Sequence, residues 1–188
     1  LLLPGIAVEF SARYPEVSVD LHIADTEDTI TALLNRDFEL AAVGREVEDS
    51  RLECVFIEED ELIAIVAASN GLADSRVGSQ DVADWPFVMR EHGSATREVF
   101  ERGLASVGIK PRVAMELGSN AAIAGAVAAG TGIGALPARA LGSQSAVKRL
   151  DLNGLKFLRP FVLVTEVGRP LSPAAEAFAR MCVDRGNS

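Results

Sequence analysis

Pro86-Phe87-Val88-Met89-Arg90-Glu91-His92-Gly93-Ser94-Ala95-Thr96-Arg97 carries an apolar strand into a polar turn and the turn into a helix. Residues 86–89 form a short apolar run, while Val99, Phe100, Leu104 and Val107 recur at helical spacing and bury one face. The junction between them is a helix N-terminus. Its first amides find no carbonyl partner within the helix and carry the positive end of the dipole, so an anion is favoured there. Ser94 and Thr96 add hydroxyl donors, and Arg97 adds a fixed charge. The competing reading is a plain helix cap, a role that Ser and Thr fill at many N-termini. A strand handing over to a helix in this way is the repeating unit of an α/β fold.

The same alternation extends in both directions from this stretch. Residues 1–14 read as a helix stopped by Pro15, 17–23 as an alternating strand, 26–36 as a helix, and 38–44 and 62–67 as strands. Further on, 87–90 read as strand, 96–106 as helix, 113–117 as strand, 120–129 as helix, and 133–136 and 161–165 as strands. A last helix has Ser172 as N-cap, Pro173 in its first turn and Gly186 beyond its end. The pattern predicts an α/β fold with mainly parallel sheets, arranged as two Rossmann-like lobes with a cleft between them. Lobe I is expected to take residues 1–66 plus 160–188, and lobe II residues 67–159, with the Ser69-Asn70-Gly71 turn marking the passage. The second half opens on a strand, whereas the first opens on a helix. A first strand is therefore expected ahead of Leu1, because a sheet lacking it would leave backbone groups unpaired, and the chain reads as a piece of a longer protein.

The length of 188 residues suits one domain of ordinary size or two small ones. No apolar run approaches the roughly 18 residues of a membrane span, and the opening residues do not resemble a signal peptide, so a cytoplasmic setting without a membrane partner is expected. Eighteen basic against 27 acidic residues give a net charge of −9, which repels a polyanion; these residues alone are not expected to bind DNA tightly. Cys54 and Cys182 stand far apart among apolar neighbours and read as buried reduced thiols. The histidines, His22 and His92, belong to no cluster with metal-ligand spacing, so no metal is expected. No cofactor is expected either. Gly130, Gly132 and Gly134 lie between a helix and a strand, the reverse of the nucleotide-binding order, and are expected to end the helix and permit tight packing.

Several motifs occur in a telling order. Leu3-Pro4, Phe10, Tyr14-Pro15 and the alternating Val17, Val19 and Leu21 open the chain; Phe38-Glu39-Leu40-Ala41-Ala42-Val43 follows the second helix. Gly130-Thr131-Gly132-Ile133-Gly134-Ala135-Leu136-Pro137 and Leu171-Ser172-Pro173 complete the series. Over essentially its whole length the sequence resembles the effector-binding domain of LysR-type transcriptional regulators. The resemblance implies a type II periplasmic-binding-protein-like fold, a ligand-sensing rather than enzymatic role, and assembly as a homodimer or homotetramer. It also implies that DNA is read by an N-terminal winged helix-turn-helix domain absent from this chain. Glu39 stands where the family usually has Asp, and Asn70-Gly71-Leu72-Ala73 replaces its frequent "HPLA". Ala95 takes the middle glycine of a "GSGTR" loop, which the resemblance ties to regulators of sulfur metabolism or carbon fixation.

In doubly wound sheets ligands bind beyond the carboxyl ends of strands, where loops lead into helices. That rule selects Gly93, Ser94, Thr96 and Arg97 with Ser119 and Asn120 in the second half, and Thr26 and Arg45 in the first. Ser119 and Asn120 also suit plain capping. Thr26 sits among Asp25, Glu27 and Asp28, which complement the helix dipole but oppose an anion. Arg45 also reads as a solvated loop charge, and His92 as an exposed one. Arg90 and Arg102 add to a local basic cluster, with Arg102 on the solvated side of its helix. The expected function is to bind a small anionic effector, an oxyanion or organic acid, between the lobes. Binding would shift a closure equilibrium and so control DNA binding by the parent protein. The alternative is a periplasmic-type solute-binding protein for an oxyanion or small organic anion. Catalysis is disfavoured: no G-x-S-x-G elbow surrounds Ser94, and no Cys/His pair is recognisable.

Overall fold

Hydrophobic periodicity fixes where the helices form, whereas pairing decides which extended segments become strands. The computed structural model describes residues 2–141 and 146–186. Its first elements are α1 (Leu2–Arg13), α2 (Thr26–Leu34), β1 (Ala41–Val43), β2 (Leu52–Ala67), β3 (Arg76–Val77), α3 (Ser79–Val82) and β4 (Pro86–Arg90). There follow α4 (Ala95–Ser106), β5 (Arg112–Leu117), α5 (Asn120–Ala128), β6 (Gly134–Pro137), α6 (Ala138–Leu141), β7 (Val147–Leu152), β8 (Phe157–Glu166) and α7 (Pro173–Gly186). Two compact units result, one from Leu1–Glu59 with Pro160–Ser188 and the other from Asp60–Arg159. The chain passes between them within β2 and within β8, and the Ser69-Asn70-Gly71 turn lies inside the second unit.

In the first unit β1 runs antiparallel to β8, with Ala41 opposite Val164 and Val43 opposite Val162, and β8 lies beside β2. Leu33 of α2 packs on Ala41, Val43, Leu52, Val162 and Val164, while Ile6, Ile57, Leu163 and Cys182 form a second cluster between α1 and α7. Ser172 caps α7 as its sequence suggested: the hydroxyl oxygen accepts from the Ala175 amide at 3.2 Å. The same hydroxyl donates to Glu39 at 2.7 Å and the Ser172 amide donates to the other carboxylate oxygen at 3.0 Å. Those bonds hold the Glu39 carboxyl below its ordinary range. Burial pushes the Cys182 thiol up to about 11, and both Cys182 and the half-buried Cys54 are free.

The second unit carries the larger sheet. Strand β2 pairs antiparallel with β6, Leu62 opposite Pro137, and with β7, Ala64 opposite Leu150; β3 joins β7 in parallel. Separately, β4 and β5 pair in parallel, and the Ile133 amide donates to the Pro86 carbonyl at 2.9 Å while its carbonyl accepts from the Val88 amide at 2.8 Å. Phe87, Met89, Phe100, Leu104, Ile133 and Phe157 fill the core between these layers. The expected glycine roles hold: Gly130, at φ 85°, ends α5, and Gly132 and Gly134 pack closely. A Cβ on Gly132 would lie 2.1 Å from the Pro86 carbonyl oxygen, and one on Gly134 would lie 2.8 Å from a Val127 methyl.

Several strand expectations need correction. Residues 17–23 form no strand; Leu21 and Ile23 are 38% and 82% exposed. Their alternation fixes facing, but a strand also needs a ladder partner, and none pairs with this segment among the described residues. The sheets are mixed rather than mainly parallel, with β1, β2, β6, β7 and β8 making antiparallel pairs. Strand β2 starts at Leu52, ten residues before the apolar run that begins at Leu62, because Glu58-Glu59-Asp60-Glu61 interrupts the visible hydrophobic pattern. β8 likewise begins at Phe157, and β7 escaped notice because lysine, arginine and aspartate interleave its buried positions.

Because the blocked position of Gly132 is backbone against backbone, Gly132→Ala is expected to destabilise the fold by about 1–3 kcal/mol in urea denaturation. Gly71→Ala, where the added methyl meets nothing within 4 Å, is the control and should stay within about 0.5 kcal/mol of the parent.

Candidate functional site

The parallel strands β4 and β5 end side by side, Arg90 opposite Leu117. Each then turns into a helix, β4 through residues 91–94 into α4 and β5 through residues 118–119 into α5. Two helix N-termini thus follow the carboxyl ends of neighbouring parallel strands, the position at which open α/β sheets take ligands. Gly93 supplies the left-handed residue of the first turn at φ 86°. Ser94 is the N-cap residue of α4, yet its side chain makes no capping hydrogen bond. The first bond of the helix runs from the Glu98 amide to the Ser94 carbonyl at 3.1 Å. The amides of Ala95, Thr96 and Arg97 lie ahead of it, beyond the reach of any helix carbonyl.

Ser94 is 4% exposed and Thr96 3%, and among the described residues the Ser94 hydroxyl has no hydrogen-bond partner. The Thr96 oxygen accepts from Arg159 Nη1 at 3.0 Å. Arg97 behaves otherwise. Its Nε donates to Glu101 at 2.9 Å, and its Nη1 donates to Glu116 and to the Arg90 carbonyl. Burial works against the Arg97 charge, but donation to Glu116 and Glu101 outweighs it. The Glu116 carboxyl is held below its ordinary range by the Arg97 bond, and Glu91 is held down by Arg90.

Arg90 joins the two turns. Its Nε donates to Glu91 at 2.8 Å and its Nη1 to the Asn120 amide oxygen at 3.0 Å, which leaves the Asn120 NH2 as donor. Ser119 acts as the cap that its type suggested, accepting from the Ala122 amide at 3.2 Å. His92 has a side chain 82% exposed, 3.8 Å from Glu116, and Arg102 is exposed on α4. Gly93, Ser94, Thr96, Arg97, Ser119 and Asn120 all belong to the second unit. Thr26 and Arg45 belong to the first: Thr26 is a buried first residue of α2 behind the Asp25 cap, and Arg45 is half-buried after β1. No group of three or more His, Cys, Asp or Glu able to hold a metal occurs among the described residues.

Sequence reasoning missed Asp60 and Arg159. Arg159 Nε and Nη2 both donate to Asp60 Oδ2, at 2.9 and 2.7 Å, and Arg139 Nε approaches Asp60 Oδ1 at 3.3 Å. The Asp60 and Arg159 side chains are 5% and 11% exposed. A usable signal existed: Asp60 has the same strand parity as buried Leu62, Ala64 and Val66, and Arg159 the same as buried Phe157.

A family model described as the LysR substrate binding domain matches residues 1–187. The HTH-type transcriptional regulator CbbR of Rhodospirillum rubrum is 30% identical over 177 residues, an alignment covering 93% of this chain and 59% of that protein. The chain thus spans little more than half the length of this relative. The regulatory domain of Synechocystis PCC6803 CcmR, solved in complex with 2-PG, superposes with a TM-score of 0.87 at 28% identity, covering 96% of this chain and 89% of that one. The effector binding domain of QuiR in complex with shikimate shares the fold, with a TM-score of 0.86 at 24% identity and coverage of 98% and 90%.

The lowered carboxyls set an acid limit. A group whose folded pKa lies below its unfolded value stabilises the fold above the unfolded value and loses that contribution as pH falls through the folded one. For Glu91 and Glu116, both lowered from 4.5, stability is expected to fall as pH drops below about 4.5. In Glu116→Gln the decline measured by chemical denaturation between pH 5 and pH 3 should be shallower than in the parent; an equal slope would dissociate Glu116 from the acid limit.

Proposed function

The chain belongs to the LysR substrate binding domain family, and from that premise we propose that it senses a small anionic effector at the helix N-termini of its second unit. Its α/β architecture is the type II periplasmic-binding-protein-like fold of LysR-type effector-binding domains. The observation that carries the ligand class is the set of unengaged donors at the start of α4, with no carboxylate or carbonyl taking them up among the described residues. These are the Ser94 hydroxyl, the Thr96 hydroxyl whose oxygen already accepts from Arg159, and the amides of Ala95, Thr96 and Arg97. Such a set fits a group that only accepts, and hydrogen bonds to an ionised oxygen are about twice as strong as neutral ones. Oxyanions and carboxylates meet that requirement.

Within this reading Gly93 shapes the turn, Ser94 and Thr96 donate to the anion, and the Asn120 NH2 donates from the start of α5, whose cap is Ser119. Arg97 acts at one remove by holding Glu116 and Glu101 and fixing the Arg90 carbonyl. Thr26 and Arg45 are proposed as effector contacts of the first unit. The 28% identical CcmR domain, solved with 2-PG, supports an effector bearing a phosphoryl or carboxylate group. The same proposal covers the parent protein: control of DNA binding through a helix-turn-helix domain outside this chain, a homodimeric or homotetrameric assembly, and a cytoplasmic setting. No helix among the described residues is long and apolar enough to cross a membrane. The solute-binding alternative gains no support from relatives that are named transcriptional regulators.

A thermal or chemical stability titration with sulfate, phosphate and 2-phosphoglycolate at fixed ionic strength tests the seat. An effector at a hundredfold over Kd adds about 2.7 kcal/mol of apparent stability. Ser94→Ala and Thr96→Val are each expected to weaken the response. Stability unmoved by all these anions, or a response that both variants retain in full, would turn the search toward a neutral effector.

A further inference from the structure

Thr96 and Arg159 meet through a contact of one possible polarity. A guanidinium carries only N–H donors, so in the 3.0 Å contact between Arg159 Nη1 and Thr96 Oγ1 the arginine donates and the hydroxyl accepts. The proton of that hydroxyl must go elsewhere, and among the described residues no carbonyl or carboxylate receives it from Thr96, which is 3% exposed. Thr96 shares its helical turn with the unpartnered Ser94 hydroxyl, itself 4% exposed, and with the unpaired first amides of α4. Arg159 is in turn braced, with Nε and Nη2 both on Asp60 Oδ2 and the two side chains 11% and 5% exposed. Its charge is thus opposed at close range, so its effect on a ligand passes through the hydroxyl more than through a bare field.

We propose that Arg159, braced by Asp60, is a positioning residue for the effector: by donating to one lone pair of the Thr96 oxygen it turns the hydroxyl proton away from itself and leaves it for a ligand. The turn thereby favours ligands that bring an accepting oxygen, such as sulfate, phosphoryl and carboxylate groups. This selectivity rests on the anion-seat reading given above. Asp60 and Arg159 are also the first and last residues of the second unit, on the strands by which the chain enters and leaves it.

Sulfate, permanently ionised over the working pH range, is the probe. Its affinity is measured by calorimetry at fixed ionic strength for the parent chain, Thr96→Val, Arg159→Met, the double variant and Asp60→Ala. Thr96→Val and Arg159→Met are each expected to weaken sulfate by about tenfold, the scale of one hydrogen bond to an ion. The double variant should be no weaker than the worse single one, because both act through the same Thr96 donor, one by deleting it and one by releasing its orientation. Losses that multiply, or an Arg159→Met chain that binds sulfate as the parent does, would overturn the relay. Asp60→Ala supplies a test of sign. Removing a negative charge tightens anion binding if only the field matters, whereas loss of the brace weakens it, so tighter sulfate binding would also overturn the proposal. Should Arg159→Met fail to give a folded circular dichroism spectrum, Arg159→Lys decides, since lysine keeps a donor for Thr96 and is expected to retain sulfate affinity within about threefold. A larger loss there would count against the relay. A parent chain that binds neither sulfate nor phosphate removes the anion seat itself. Weakening by Thr96→Val with indifference to Arg159 leaves the seat standing and removes only its positioning residue.

Discussion

A carboxylate withdrawn from water must be matched by donors, and in the second unit that requirement falls on Asp60. An unpaired buried ion of this kind costs several kcal/mol, and breaking a buried pair by deleting one partner typically costs about 3–5 kcal/mol. Asp60 meets the demand with Arg159 and Arg139, which arrive from β8 and α6. Arg159 then reaches Thr96 in α4. One buried charge therefore ties together the strand that enters the unit, the strand that leaves it and the helix whose N-terminus carries the free donors. The geometry of that turn depends on this pairing as much as on its own sequence.

An acidic chain proposed to receive an anion must keep its carboxylates from repelling it. Around the α4 turn three acids are engaged by arginines: Glu91 by Arg90, and Glu101 and Glu116 by Arg97. Such pairing lowers the repulsive field that the net charge of −9 would otherwise present. The arginines nearest the turn are thus engaged by neighbouring carboxylates and backbone, while the Ser94 hydroxyl and the first amides of α4 have no partner among the described residues. Fixed donors of that kind cost little reorganisation when an anion arrives, which is the physical advantage of a helix N-terminus over a mobile side chain.

In the first unit Glu39 links a loop to a helix end. Its side chain receives both the amide and the hydroxyl of Ser172, the residue that caps α7. The carboxylate therefore holds the start of the last helix, and Phe178 on that helix meets Phe10 of α1 edge-on at 5.3 Å. A polar residue in a loop and two aromatic rings in a core are linked through one helix cap. The position is structural in this chain.

The sequence by itself determined the features that depend on near neighbours. Helices α4, α5 and α7, the strands β4 and β5, the Ser172 and Ser119 caps and the packing glycines were legible because periodicity, caps and turn chemistry act over a few residues. The motif order gave the family for the same reason, and the passage from β4 into α4 was legible as an apolar run followed by a helical period. Tertiary structure alone decided the rest. Residues 17–23 have a strand's alternation without a described ladder partner, β2 and β8 extend through charged residues because neighbouring strands pair with them, and the sheets are mixed because pairing direction follows chain path rather than local pattern. Arg97 has the composition of an anion contact but is drawn to Glu101 and Glu116, the latter 19 residues away. Asp60 and Arg159 lie 99 residues apart, so only folding brings their charges together and with them the polarity of the Thr96 hydroxyl. Electrostatic pairing depends on distance in space, and a linear sequence carries that distance only after the chain has closed its long-range contacts.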